Sequence, residues 1–336
     1  MFPIFRFKNS ADEPAFELRR SMNPDDKPRG GKSPGLLATS LALLGVLVLY
    51  PLAGSLLTLL ATGWHGIDPD FRLLDPAVMP RLRMAQAVGQ LLALCVPALL
   101  LAWRPSGGRS PIDSRTLSWL GLGPRPGVGV LLAASAGMLL LQPLMYSITE
   151  VQNLGLPYLG EAGQAMLRDQ ERLELFIRKI ASSDSVTGFL GVAAVLVATP
   201  AFCEELFFRG YVQKCFVVRL SPAKGVVLTG FVFALFHLEP SNIVPLTLLG
   251  WYIGYIYEKS GSLAVPAIAH GTNNLAALLL LESEPRLSGL PVAWQSQGVV
   301  SMWQWWAIVL ASLILFFLLI RRFPEPVASV KFDINV

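Results

Sequence analysis

Eight long apolar stretches constrain the fold of this chain more than any other feature of its sequence. Each is near the roughly 20 residues that a helix needs to cross the hydrocarbon of a bilayer, although the fifth and sixth are shorter. The sequence therefore predicts an all-α fold, a polytopic transmembrane helical bundle with about eight spans. The predicted spans cover residues 35–62, 85–103, 127–148, 186–208, 225–238, 243–257, 262–281 and 303–320.

The composition favours a membrane protein over a large soluble domain. Hydrophobic residues make up 53% of the 336 residues and charged residues only 15%, against roughly 25% charged in soluble domains. The net charge of +4 suits basic loops beside anionic lipid, and no nucleic-acid partner is predicted. The three cysteines, Cys95, Cys203 and Cys215, provide neither a disulfide framework nor a CxxC metal motif.

Most loop lysines and arginines fall on one side if both termini are cytoplasmic, which indicates a multi-pass protein of the plasma membrane. Arg72, Arg81 and Arg83, in the first external loop, run against this rule.

Four regions are predicted along the chain. They are a flexible cytoplasmic tail at 1–34, N-terminal spans with an amphipathic connector at 35–185, a catalytic core at 186–281, and a last span with a short tail at 282–336.

The connector between the third and fourth spans, residues 161–182, has the pattern of an amphipathic helix. Its apolar side chains recur at steps of three and four residues and are Met166, Leu173, Phe176, Ile177 and Ile180. We expect this helix to lie at the outer membrane interface. A cover for apolar surface is favoured over a gate for substrate.

Charged residues interrupt the fourth span at Thr-Pro-Ala-Phe-Cys-Glu-Glu-Leu-Phe-Phe-Arg-Gly, residues 199–210. A charge at membrane depth costs roughly 2.5–3.5 kcal/mol on insertion scales, so such residues are usually functional. Positions four apart share a helix face, so Glu205 can pair with Arg209 while Glu204 points about 100° away. The unpaired carboxylate is suited to take a proton from water and return it to a leaving amine.

Two later stretches repeat this anomaly, FALFH at 233–237 and HGTNN at 270–274. Histidine can act as acid, base or metal ligand, and asparagine supplies an amide donor for a developing oxyanion. Counting the helical rise from the charged ends of each span places Glu204, His237 and His270 at depths that agree within a turn or two. The three stretches are therefore predicted to form one hydrolytic site within the bilayer.

The motif order EExxxR, FxxxH and HxxxN resembles that of the CPBP intramembrane proteases. This family contains the type II CAAX prenyl endopeptidases and bacterial relatives such as bacteriocin-immunity (Abi) and lysostaphin-resistance proteins. The resemblance covers about 186–281 and implies an endopeptidase that acts on a membrane-associated peptide, with CAAX-like, lipidated peptides as one class of substrate. It implies the following catalytic roles: Glu204 with His237 activates water, His270 with Asn274 holds the oxyanion, and Glu205 with Arg209 orders the site.

Several alternatives remain open at the level of sequence. Glu204, His237 and His270 could bind one zinc ion with an open water position, although HExxH is absent and activation by the glutamate alone is equally consistent with the sequence. Each site residue also has a structural interpretation, as an ion pair, a packing histidine or an interhelical amide. Two other functions compete, a proton-coupled transporter and a silent membrane scaffold in immunity or export.

Overall fold

A computed structural model describes residues 34–63, 76–287, 300 and 302–323 of the chain. All regular secondary structure in these ranges is helical, which confirms the predicted all-α class. The N-terminal tail and most of the first external loop, with Arg72, lie outside the described residues. The α-helices are α1 (Leu36–Thr62), α2 (Met79–Ser106), α3 (Ser114–Trp119), α4 (Val128–Gly155), α5 (Glu161–Ala181), α6 (Val186–Arg219), α7 (Pro222–Phe236), α8 (Ile243–Ser260), α9 (Ala264–Leu287) and α10 (Trp303–Arg321).

Six of the ten helices are long and apolar enough to cross a membrane, namely α1, α2, α4, α6, α9 and α10. The predicted count of eight spans is not confirmed. The fifth predicted span corresponds to α7, an apolar helix of only 15 residues. The sixth corresponds to α8, whose three tyrosines and terminal Glu258 and Lys259 make it too polar to qualify by composition.

Two wide π-helical turns lie just before prolines inside long helices. One such turn, Leu91–Cys95, lies just before Pro97 in α2, and another, Ala194–Ala198, lies just before Pro200 in α6. Proline has no N–H to donate and its ring clashes with the carbonyl four residues earlier, so a local widening keeps each helix continuous. A third π-helical segment, Leu206–Gln213, contains the motif arginine.

Helix α6 lies at the centre of the largest buried cluster. Leu206, Phe207, Phe208, Tyr211 and Val212 are all at most 2% exposed, and they pack against side chains of α1, α2, α7 and α8. Because these side chains of α6 are packed against four other helices, the rotation of α6 about its own axis is fixed. The carboxylates one turn earlier are thereby held in a defined direction.

Helices α7 and α8 pack unusually closely through glycine. A Cβ atom on Gly250 would lie 2.8 Å from the Cα atom of Gly230, and one on Gly254 would lie 2.7 Å from the side-chain oxygen of Gln213. Small residues let helix backbones approach in this way. Gly250 therefore lets α8 lie directly against α7, and Gly254 lets it lie against Gln213 of α6.

The predicted amphipathic connector is present as α5, and its end is tied to α2. The guanidinium of Arg83 donates to the carbonyl oxygens of Ile180 at 2.9 Å and Ser182 at 2.5 Å. Arg81 and Arg83 both lie within α2, which begins at Met79, and not in the preceding loop as predicted. Of the predicted apolar face, Ile180 is buried, whereas Leu173 and Ile177 are exposed, so the interfacial location stays a prediction.

Candidate active site

Glu205 and Arg209 form a buried ion pair, as their four-residue spacing predicts. Arg209 Nη1 lies 3.0 Å from Glu205 Oε1, and both side chains are 0% exposed. Arg209 Nη2 donates to the carbonyl oxygen of Gly250 at 3.3 Å, and its guanidinium carbon is 4.5 Å from the centre of the Phe233 ring. Desolvated charges are tolerable only with such compensation. The pair thus joins α6 to α7 and α8.

His270 is oriented by the same carboxylate. Its Nδ1–H donates to Glu205 Oε1 over 2.8 Å, and the imidazole is almost fully buried. A bond to one ring nitrogen fixes both the tautomer and the direction of the other. The other nitrogen, Nε2, lies 3.9 Å from Glu204 Oε2.

His237 has an equivalent arrangement on α7. Its Nδ1 lies 2.8 Å from the carbonyl oxygen of Phe233, and since a carbonyl only accepts, Nδ1 must carry the proton. Nε2 of the neutral ring therefore has a free lone pair, 4.0 Å from Glu204 Oε2. The next residue, Leu238, has φ 53. This left-handed conformation is unfavourable for a residue with a Cβ atom, and it ends the helix immediately after the histidine.

Glu204 lies between the two imidazoles. Its Oε2 atom is buried and has no hydrogen-bond partner among the described residues, and its side chain is 12% exposed. The separations of 3.9 and 4.0 Å to the imidazole nitrogens are too long for direct hydrogen bonds. One water molecule about 2.8 Å from each atom could bridge either gap. Side chains from α6, from α9 and from the end of α7 thus converge on one carboxylate oxygen.

Gln90 and Tyr50 also belong to the surroundings of the site, and neither was predicted. Gln90 Nε2 lies 3.5 Å from Glu204 Oε1 and 2.8 Å from the hydroxyl oxygen of Tyr50. Gln90 interrupts the apolar second span in the same way as the glutamates interrupt the fourth, so a signal was present. Its distance in sequence from the three motifs hid the contact.

Asn274 lies one turn after His270 on α9. Its Oδ1 accepts from Asn273 Nδ2 at 3.2 Å, and Asn273 Oδ1 accepts from Gln142 Nε2 at 3.0 Å. This chain of amides fixes which end of Asn274 accepts and leaves its NH₂ group as the donor. Within the described part of the chain, no hydrogen bond joins Asn274 to Glu204 or to either histidine, so its oxyanion role stays a prediction.

The proposed zinc ligands have suitable chemistry but not suitable spacing. A carboxylate oxygen and two imidazole Nε2 atoms are common zinc donors, and atoms about 2.0–2.2 Å from one tetrahedral ion lie about 3.3 Å from one another. The observed separations from Glu204 Oε2 are 3.9 and 4.0 Å. Over the described ranges, no group of three or more His, Cys, Asp or Glu residues is arranged to hold a metal ion. The three side chains are thus not spaced as ligands of a bound zinc ion, and the zinc alternative stays a prediction.

Fold and site together define a class, a multi-pass helical membrane protein with a carboxylate and imidazole site between its helices. Residues 186–276 match the family model described as type II CAAX prenyl endopeptidase Rce1-like. The resemblance to the CPBP family is thereby confirmed over this segment, which contains all six candidate site residues and indicates protease activity. Comparisons with curated proteins and with solved structures gave no match.

Proposed function

We propose that this protein is an intramembrane endopeptidase that hydrolyses a peptide bond of a membrane-associated substrate, with CAAX-like, lipidated peptides as the first candidates. The family match over 186–276 supports the reaction class. The observation that carries the proposal is the convergence on Glu204 Oε2 of two imidazole nitrogens, at 3.9 and 4.0 Å. Burying a carboxylate oxygen without a hydrogen-bond partner costs free energy, so the position of this atom between two imidazoles calls for an explanation.

Water activation is assigned to Glu204 and His237. Glu204 Oε2 and His237 Nε2 are both acceptors, so they can hold the two protons of one water and direct its lone pair at a carbonyl carbon. As the O–C bond forms, one proton passes to Glu204. When the C–N bond breaks, the same proton goes to the leaving nitrogen, and the carboxylate is restored.

Stabilisation of the oxyanion is assigned to His270 and Asn274. The Nδ1–H of His270 is held by Glu205, so a protonated ring directs its Nε2–H towards the reacting atoms. The NH₂ group of Asn274 supplies a second donor. Glu205 orients His270 through this hydrogen bond, and Arg209 holds Glu205 in place.

Hydrolysis is proposed to need no metal, with Glu204 itself acting as the base that activates water. The protein is proposed to lie in the plasma membrane with both termini in the cytoplasm, as the loop charges indicate. The natural partners are a membrane-associated peptide or protein substrate and the bilayer itself, without nucleic acid.

The test is cleavage by the purified full chain in liposomes of fluorogenic CAAX-type peptides, farnesylated and unmodified, together with an apolar peptide library. Glu204→Ala and His237→Ala should each lower kcat by about 10²–10⁴-fold, the range for loss of a general base. Thermal unfolding should show that both variants stay folded. Treatment with 1,10-phenanthroline should leave cleavage unchanged.

Three results would contradict the proposal or part of it. A wild-type chain that cleaves nothing but carries protons across the liposome membrane, followed with an internal pH dye, would make the protein a transporter. A folded chain with neither activity would favour a scaffold. Inhibition by the chelator that added zinc reverses would overturn the metal-free mechanism alone.

A further inference from the structure

Gln90 links the N-terminal spans to the candidate active site. It lies in α2, is 9% exposed, and is positioned between Tyr50 of α1 and Glu204 of α6. Both Gln90 and Tyr50 lie outside residues 186–276, the part that matches the family model. The three sequence motifs therefore do not predict the contact between Gln90 and Glu204, the proposed base.

The two N–H groups of the Gln90 carboxamide have separate acceptors. One is the Tyr50 hydroxyl oxygen at 2.8 Å, and the other is Glu204 Oε1 at 3.5 Å. The carboxamide oxygen, Gln90 Oε1, is buried without a hydrogen-bond partner in the described residues. Burying the Gln90 carboxamide costs free energy, and its hydrogen bond to Tyr50 alone would offset only part of that cost. Simple helix packing would be served better by an apolar side chain.

The two carboxylate oxygens of Glu204 face different groups. Oε1 faces the amide donor of α2, while Oε2 faces His237 and His270. A carboxylate held by one oxygen loses rotational freedom about its last bond, so the other oxygen keeps a fixed direction. Tyr50 holds Gln90 in turn.

We propose that Gln90 is a positioning residue for Glu204, oriented by Tyr50, and that it keeps Oε2 directed at the water between the histidines. This inference rests on the proposed function for its catalytic consequence. It adds a contribution from the first two helices to a site whose other members lie on α6, α7 and α9. Gln90 itself does not touch the reacting atoms.

The kinetic test uses Gln90→Met, which keeps the length of the side chain but removes its polar atoms. We expect kcat to fall about tenfold, the size of effect for a lost hydrogen bond to a charged group, with KM within about twofold of wild type. Gln90→Glu should be at least as slow, because a second carboxylate repels Glu204. Tyr50→Phe should fall between wild type and Gln90→Met.

The matched control is Gln213→Met. Gln213 is also a buried glutamine that bonds between helices, to the carbonyl oxygen of Gly254 at 2.9 Å, and it does not touch Glu204. Gln213→Met should lower thermal stability and leave kcat unchanged. Wild-type kcat in folded Gln90→Met, or a rise in KM alone, would overturn the positioning role.

A spectroscopic test separates this inference from the proposed function. The infrared difference between the wild type and Glu204→Gln isolates the carboxyl band of Glu204, with or without peptidase activity. That band should shift in Gln90→Met and stay in place in Gln213→Met. An unshifted band in Gln90→Met overturns the inference even if the chain proves to be a peptidase, and a shifted band in a chain that cleaves nothing supports the contact while the proposed function fails.

Discussion

Two faces of α6 hold charge in opposite ways. Glu205, Arg209 and Gln213, at four-residue steps, form what we call the ladder face, which donates to the carbonyl oxygens of Gly250 and Gly254 on α8. Glu204, one residue away, forms the site face and looks towards α2, α7 and α9. All three residues of the ladder face are 0% exposed, whereas the Glu204 side chain is 12% exposed.

The faces differ in charge compensation more than in burial. On the ladder face Glu205 Oε2 and Arg209 Nε have no hydrogen-bond partner in the described part of the chain, yet the two opposite charges are 3.0 Å apart and balance each other. On the site face no cation from the described ranges is paired with Glu204. Its neighbours are the Gln90 amide at 3.5 Å and two imidazoles at 3.9 and 4.0 Å, distances that one water molecule could bridge. The comparison supports a structural role for the ladder face, which also orients His270, and the proposed chemical role of Glu204.

Breaking the ladder face should have the largest effect on stability. Arg209→Met leaves Glu205 buried without its cation, which should cost about 3–5 kcal/mol of unfolding free energy. The double variant Arg209→Met with Glu205→Met should recover much of this loss, because neither charge is then left unpaired. Denaturant unfolding in detergent measures both. A loss below about 1 kcal/mol in Arg209→Met would show that the pair is not a structural element.

Glycine at the crossing of α7 and α8 gives the next largest effect. A Cβ atom on Gly230 would lie 2.3 Å from Trp251 Cδ1 and 2.8 Å from its backbone nitrogen, so Gly230→Ala should destabilise the chain by about 1–3 kcal/mol. Gly129 on α4 has no atom within 4 Å of such a Cβ position. Gly129→Ala is the matched control and should be neutral or slightly stabilising. Equal melting temperatures for the two variants would contradict the close crossing.

The sequence was sufficient to predict most of the helices and the convergence of Glu204, His237 and His270. Apolar runs and isolated charges are local signals, so they can be read without tertiary information. The ends were less accurate: α2 begins at Met79 and not at 85, and α6 continues to Arg219. The number of spans was not established either, since α7 is short and α8 is polar.

The contacts around the site residues could not be predicted from spacing. That Gln90 reaches Glu204 depends on how α2 packs against α6, and a single polar residue in an apolar helix does not specify that packing. The same holds for Cys203, to which no partner was assigned, although its Sγ lies 2.9 Å from Cys95 Sγ. Pairs separated by more than 100 residues depend on the whole bundle.

Orientation of Asn274 by its neighbour predicts a moderate effect on activity. Asn273→Leu removes the donor to Asn274 Oδ1 and the acceptor for Gln142, so we expect kcat to fall about fivefold. Thr272→Val is the control, because Thr272 bonds to Ser135 Oγ at 2.9 Å and not to Asn274. Steady-state kinetics measures both. Equal kcat values in Asn273→Leu and Thr272→Val would contradict a role for this chain of amides in catalysis.

The attachment of α5 predicts the smallest effect. Arg83→Met removes the donor to the carbonyl oxygens of Ile180 and Ser182, which should cost about 1 kcal/mol. The measurable consequence is faster limited proteolysis after 181, near the released end of α5. Arg81→Met, at an exposed position two residues earlier, should be cut at the wild-type rate. Identical cleavage rates in both variants would contradict the tether.

The most direct test of the difference between the two faces compares Glu204→Gln with Glu205→Gln, with cleavage and melting temperature measured on the same preparations. We predict that Glu204→Gln loses about 10²–10⁴-fold in kcat at a near wild-type melting temperature, whereas Glu205→Gln melts at a clearly lower temperature. A folded Glu204→Gln protein that cleaves peptide at the wild-type rate would contradict the assignment of chemistry to the site face.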